Sequence, residues 1–229
     1  MSSAASVPQA AGEGLPNLFD LVVAGGPLMW PIGACSVVAL AFAAERWIAL
    51  RASRLGGERF ASDLVAGVRE GGPERGLTLC AAQRTPLARI MDAALRRARA
   101  TPAEREKHVE DVAALEVRSL SANLKPLLYV YVVAPLLGLL GTVWGLILCF
   151  ASIATAGAMG KPELLATGVY QALVTTAAGL AVAIPTVVAY YALKGRVERF
   201  ARRTEALYGA VEEGLAVRSL PQEAGSAGP

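Results

Sequence analysis

Three stretches of the chain carry no charged residue: Leu21–Ala44 for 24 residues, Leu127–Gly160 for 34 and Leu164–Leu193 for 30. About 20 apolar residues in a helix rising 1.5 Å each cross the 30 Å hydrocarbon core of a bilayer. Each stretch is therefore predicted to hold one transmembrane helix. The first runs from about Pro31 to Arg51, with Trp30 and Trp47 near opposite interfaces, where indole rings settle. A short interfacial helix is expected before it, over Leu18–Met29.

Between the first and second stretches the pattern is polar and broken. Phe60–Arg69 and Pro86–Ala100 read as helices, and Gly71–Gly72–Pro73 reads as a break. This part has too few apolar residues for a sizeable core of its own. Thr101–Pro102–Ala103–Glu104 is a strong helix start: a hydroxyl to cap, a proline in the first turn and a glutamate to complete a capping box. Val109, Val112, Leu120, Leu124 and Leu127 then recur at helical spacing with no stop before the second apolar stretch. One helix of about 53 residues, roughly 80 Å, is predicted from there to about Thr155, bent at Pro126 and Pro135. The third apolar helix likewise continues past Lys194 into a stripe of Val197, Phe200, Thr204, Leu207 and Val211, spaced alternately by three and four. That stripe suits packing on the chain itself or on a neighbouring subunit.

Composition agrees with an all-α membrane protein. Apolar residues make up 54% and charged ones 18%, against about 25% in an average protein. This excludes a soluble enzyme, a disordered chain and a disulfide-stapled secreted domain. Cys35, Cys80 and Cys149 form no CxxC or Cys/His cluster, so neither a zinc site nor any other cofactor is expected. His108 stands alone among Glu104, Glu106, Lys107 and Glu110 and reads as part of a solvated helix face. No phosphate loop, metalloprotease motif or nucleophile constellation is present, and the chain is not read as an enzyme.

Charge sets the orientation. Of 22 basic residues, 14 lie in Arg51–Lys125 and six in Lys194–Pro229, whereas the first 20 residues have none and the link between the second and third stretches has one, Lys161. By the positive-inside rule the two basic segments are cytoplasmic. The absence of a basic start also makes residues 1–20 unlike a secretory signal. The predicted organisation is a flexible outer segment at 1–17, interfacial helix and first span at 18–51, a cytoplasmic helical region at 52–126, the second span at 127–157, an outer turn at 158–163, the third span at 164–193, a cytoplasmic helix at 194–217 and a flexible tail at 218–229. The net charge of +3 follows these membrane boundaries, so nucleic acid is not an expected partner, but a lipid bilayer is.

Two spans carry small residues in register: Ala134, Gly138, Gly141 and Gly145 in the second; Ala172, Thr176, Gly179 and Ala183 in the third. Small residues let helices approach closely in lipid. Polar residues are superimposed on these faces: Thr142, Cys149 and Ser152, then Gln171, Thr175 and Thr176. Threonine hydroxyls often bond back to their own helix. Several polar groups on two adjacent spans also suit a narrow hydrated path, or a seat for a partner's polar residue.

The run Ala134–Pro135–Leu136–Leu137–Gly138–Leu139–Leu140–Gly141–Thr142–Val143–Trp144–Gly145 closely resembles the second-helix signature of the ExbB/TolQ/MotA proton-channel family. Gln171–Ala172–Leu173–Val174–Thr175–Thr176–Ala177–Ala178–Gly179, continuing to Pro185, resembles the third-helix signature. Gly26–Pro27–Leu28–Met29–Trp30–Pro31 and Glu45–Arg46 resemble the first helix of the ExbB-like branch. The resemblance implies a homopentamer in the bacterial inner membrane around a central pore. The pore encloses single-span ExbD/TolR-like partners, and proton flow drives movement that a TonB-like protein carries to outer-membrane transporters. It implies that the outer side is the periplasm. It also implies that Thr142 and Thr176 line the proton path; Gln171 and Thr175, on the polar face read above, are placed beside them, and Gly138, Gly141, Gly145 and Gly179 are read as helix-packing positions. At Gln171 the sequence departs from the common glutamate; an amide exchanges no proton near neutral pH, which leaves a hydrogen-bonding role. Other readings are a Tol-type or motility subunit of the same family, or a membrane scaffold that conducts nothing.

Overall fold

A computed structural model describes residues 22–156 and 162–219. The expected outer segment, most of the outer turn and most of the tail lie outside these residues, as does the first part of the expected interfacial helix. The described secondary structure is helical: α1 Met29–Ala49, α2 Ala52–Leu55, α3 Glu58–Ala81, α4 Pro86–Arg96, α5 Pro102–Ala122, α6 Lys125–Ala156 and α7 Pro162–Ser219. Three helical stretches are long and apolar enough to cross a membrane: Met29–Ala49, Pro102–Ala154 and Leu165–Ala216.

One compact unit holds residues up to Val38 together with Val130–Pro185. It is the apolar part. Val22–Ala24 make one helical turn, and Gly26, at φ 71°, ends it before α1 begins. Most of the large side chains point outward: Val37, Leu136, Leu139, Ile147, Phe150 and Leu173 are all exposed in the single chain. The buried positions are mostly small, including Ala134, Cys149, Ala172, Thr175 and Ala183.

The second unit, Ala39–Tyr129 with the chain from Thr186 onward, is built the other way round. Its core is Phe60, Leu64 and Val68 of α3, Leu87, Ile90, Met91 and Leu95 of α4, and the stripe Val197, Phe200, Thr204, Leu207 and Val211 of α7. All five stripe residues are buried within one chain, so of the two packings open to them the chain uses its own. This also explains how a segment poor in apolar residues makes a core: α7 supplies the missing wall. Gly214 of α7 lies close enough to α3 that a Cβ there would meet Val68 and Arg69 at 3.6 and 3.3 Å.

The expected break falls at Gly72, whose φ of 73° and ψ of −167° kink α3 just before Pro73. The cap at Thr101 forms as its sequence predicts. Its hydroxyl accepts from Glu104 N at 3.4 Å, and the Glu104 carboxylate accepts from Thr101 N at 3.2 Å. The hydrogen bond from the Thr101 hydroxyl, then that from its backbone N–H, holds the Glu104 carboxyl below the ordinary carboxylate range. Burial, with Asp92 nearby, pushes the Cys80 thiol up to about 12.

One expectation is corrected. The single helix predicted from Pro102 is two, α5 and α6, separated by a turn at Asn123–Leu124. Pro126 has no N–H to offer the carbonyl of Ala122, so the ladder fails there. The turn is closed instead by Leu124 N to Ser121 O at 3.0 Å and Leu127 N to Leu124 O at 3.1 Å, with Asn123 Nδ2 donating to Ser119 O at 3.2 Å. Pro135, by contrast, lies inside α6 without ending it.

Ion pairs tie the helices of this unit together. Arg89 holds Glu116 through two bonds of 2.6 and 2.7 Å, joining α4 to α5. Arg105, only 6% exposed, donates to Ala98 O at 3.0 Å and to Glu212 at 3.1 Å, joining α5 to α7.

Candidate functional site

The candidate site lies where α6 and α7 meet inside the apolar unit. The two helices run antiparallel along a seam of small residues. A Cβ on Gly145 would sit 3.4 Å from Ala172 Cβ and 3.3 Å from Gly168 O. One on Gly141 would sit 2.6 Å from Thr175 Cβ and 2.4 Å from its hydroxyl oxygen. One on Gly138 would lie 3.1 Å from Thr176 Cα, and one on Gly179 only 2.6 Å from Ala134 O. Carbon atoms settle at about 3.5–4.0 Å. The part of the seam around Gly138 and Gly179 is therefore backbone against backbone, possible because glycine brings no side chain.

The hydroxyls expected along the proton path do different things. Thr142 is half-buried and donates to Leu139 O on its own helix at 2.7 Å. Thr175 is 1% exposed, fills the seam against Gly141 and donates to Ala172 O at 2.8 Å. Thr176 is half-buried and donates across the seam to Gly138 O at 3.2 Å. Among the described residues it is the hydroxyl seen to link the two spans through Gly138. The small face of the third span was expected to run through Thr176. It runs through Thr175, with Thr176 on its flank, because the helix turns the 172–175–179 edge toward α6.

Gln171 is half-buried and lies elsewhere on the seam's surroundings. Its amide nitrogen is 2.3 Å from where a Cβ on Gly26 would be. The glutamine thus packs on the left-handed turn that precedes α1, whose φ of 71° favours glycine. The structure brings Thr175 and Thr176 onto Gly141 and Gly138. It brings Gln171 to the first helix instead.

One participant, Gly168, is not among the residues that the sequence pattern singles out. Gly168 faces Cys149, whose Cβ and Sγ are 2.6 and 3.1 Å from a Cβ placed there. Its signal was present: Gly168 lies four residues before Ala172 and eleven before Gly179, on the same stripe. Gly26, named above in the run that resembles the first helix, takes part through the turn on which Gln171 packs.

No Asp, Glu, Lys, Arg or His occurs between Leu127 and Gly160 or between Leu164 and Leu193. The site offers hydroxyls, one amide and backbone carbonyls. These can hold water or solvate a proton carrier, but none can itself bind a proton near neutral pH.

The chain is similar to an ExbB homologue of Methanothermobacter thermautotrophicus named as a biopolymer transport protein, 28% identical over 90% of this chain and 74% of the relative. It is similar to the biopolymer transport protein ExbB of Helicobacter pylori, 41% identical over 38% of this chain and 59% of the relative. It is also similar to the Tol-Pal system protein TolQ of Haemophilus influenzae, 40% identical over 36% of each chain. The last two matches leave much of those relatives unmatched. The family model of MotA/TolQ/ExbB proton channels matches residues 82–206, more than half of the chain and both spans that form the seam. The chain therefore belongs to the MotA/TolQ/ExbB proton channel family, a family of channels rather than enzymes.

Proposed function

We propose that the chain is the channel subunit of an ion-driven motor of the ExbB type in the bacterial inner membrane. Five copies surround the single spans of ExbD/TolR-like partners and turn the proton-motive force into work on a TonB-like protein. The observation that carries this reading is the seam itself: two uncharged spans in backbone contact, with the Thr176 hydroxyl bridging them. The basic segments lie on the cytoplasmic side and the N-terminus in the periplasm.

A proton crossing this bundle needs a titratable group that the two spans lack, so an aspartate on the partner's helix supplies it. Driving force is ample, since one charge moved through 100 mV releases about 2.3 kcal/mol. The obstacle is the cost of a charged carboxylate in a dry pore, which hydroxyls and water lower. Thr176 and Thr142 are the hydroxyls assigned to that task, with Thr175 and Gln171 keeping the surrounding helices in place.

The test is Thr176→Val, close in shape but unable to donate. Interhelical hydrogen bonds in bilayers average about 0.6 kcal/mol, too little to hold or lose the helix pair. The variant is expected to assemble with its partner, counted by native mass spectrometry, yet lose most proton-coupled activity in reconstituted vesicles. A milder loss is expected for Gln171→Ala. Full activity in both Thr142→Val and Thr176→Val overturns the lining role.

A Tol-type role is the second reading, favoured by the similarity to TolQ of Haemophilus influenzae. A single-span partner with a peptidoglycan-binding domain, recovered by co-purification, selects it.

A further inference from the structure

The second unit contains a cleft that channel function does not use. Its volume is about 770 Å³, within the range of about 300–1,000 Å³ typical of small-molecule sites. It is lined by residues between Leu50 and Ala61, by Leu87 of α4 and by α7 from Arg196 to Leu207.

Its charge is one-sided. Arg51, Arg196, Arg199 and Arg203 line it against a single carboxylate, Glu58. Two of the four arginines are engaged. Arg203 pairs with Glu58, and Arg196 donates to Trp47 O at 3.3 Å while lying 3.7 Å from the centre of the Trp47 ring. Among the described residues, the side chains of Arg51 and Arg199 have no hydrogen bond or ion pair, and both are exposed. The rest of the lining is apolar, with Leu50, Leu87 and Phe200 buried beneath. The wall is fixed by Gly56, at φ 111°, where a Cβ would lie 2.7 Å from Leu87 Cβ.

Depth decides what such a cleft takes. The uncharged run of α7 ends at Leu193, and Arg199 follows six residues later, about 9 Å along the helix. The headgroup layer on each side of a bilayer is about 5–8 Å thick, and arginine side chains reach back toward it. Trp47, stacked on Arg196, marks the same interface on α1. A soluble phosphate compound would use the guanidinium groups and leave the apolar lining of the cleft idle.

We propose that this cleft binds an anionic phospholipid of the adjoining leaflet, its phosphate held by Arg51 and Arg199 and its glycerol and upper acyl carbons against Leu50, Leu87 and Phe200. The inference rests on the membrane placement given above but not on proton conduction.

The full chain is purified with its partner, placed in nanodiscs of phosphatidylcholine with or without phosphatidylglycerol, and its retained lipids are measured by native mass spectrometry. Phosphatidylglycerol is expected to be retained in preference to phosphatidylcholine. In Arg51→Gln/Arg199→Gln that preference should fall roughly 25-fold, about fivefold per arginine at a membrane surface. Lysine at both positions should restore most of it. Proton-coupled activity should persist in the double variant, because neither arginine lies in the seam. Equal retention of the two lipids by the unmodified protein overturns the proposal. So does an unchanged preference in the double variant, or displacement of bound lipid by millimolar glycerol phosphate, which would make this a soluble-phosphate site. A complex that enters nanodiscs and conducts but shows no preference removes the lipid site and leaves the channel reading standing. One that does not insert removes the membrane placement itself.

Discussion

The two units of this chain share helical secondary structure in their described residues, yet they are held together by opposite means. In the apolar unit the helices touch through glycine, alanine and threonine, while leucine, valine and phenylalanine face outward. In the other, leucine, isoleucine, methionine and phenylalanine are buried and the charges face outward or pair. The solvent explains the contrast. Water expels a leucine side chain, so burying one stabilises the fold by about 1.5–3 kcal/mol. Lipid does not, so cohesion between spans rests on close van der Waals contact, and small residues give the closest. Exposure of large apolar residues therefore signals correct assembly in one unit and would signal failure in the other.

That contrast can be broken from either side. The largest effect is expected for Gly179→Leu, because the atoms in the way are backbone: Ala134 O at 2.6 Å and Gly138 Cα at 3.2 Å. The chain should no longer be extracted as a monodisperse species in size-exclusion chromatography, whereas Leu180→Ala, next to it but 45% exposed, should be nearly silent. In the second unit the order reverses. Leu64→Ala, fully buried, should cost about 2–5 kcal/mol in thermal unfolding of that unit while the spans stay inserted. Smaller again is Glu212→Ala, which leaves the Arg105 guanidinium buried with one partner fewer. About 1–2 kcal/mol is expected, since Glu212 is itself a third exposed, and it should be recovered by removing Arg105 as well. The smallest is Thr101→Ala, about 1 kcal/mol from the lost cap. Because the Glu104 carboxyl is held below its ordinary range, its share of the cap is present at neutral pH and disappears as pH falls through that lowered value. Acid titration of unfolding should therefore be shallower in Thr101→Ala than in the unmodified chain.

Local chemistry made much of this legible. The three apolar stretches, the Thr101–Glu104 cap, the break at Gly72 and the glycine faces each follow from residues a few positions apart, and each is found. What the sequence left open depended on distant partners. The core of the polar unit could not be foreseen from Gly56–Ala100, because part of its wall is contributed by Val197–Val211, about a hundred residues on. The choice of Thr175 over Thr176 for the seam needed the position of α6, since both lie within one helical turn of Ala172 and Gly179. Gln171 was read with the hydroxyls because it shares their helix, but its neighbour is Gly26, near the other end of the chain. The turn at Asn123–Leu124 goes further than the bend expected at Pro126, because the missing N–H is enough to divide the helix.

The gradation along the glycine seam has a genetic consequence. Gly145→Ala asks for only a few tenths of an ångström, from Gly168 O at 3.3 Å, and should be the mildest of the three. Gly141→Ala collides with the side chain of Thr175, an obstacle that a second mutation can remove: Thr175→Gly should act as a suppressor, and Thr175→Ala, which keeps the offending Cβ at 2.6 Å, should not. Gly179→Ala collides with a carbonyl oxygen that every amino acid carries, so no exchange at the facing position can relieve it. A selection for revertants should return pairs from the first part of the seam and, from Gly179, only restorations of glycine.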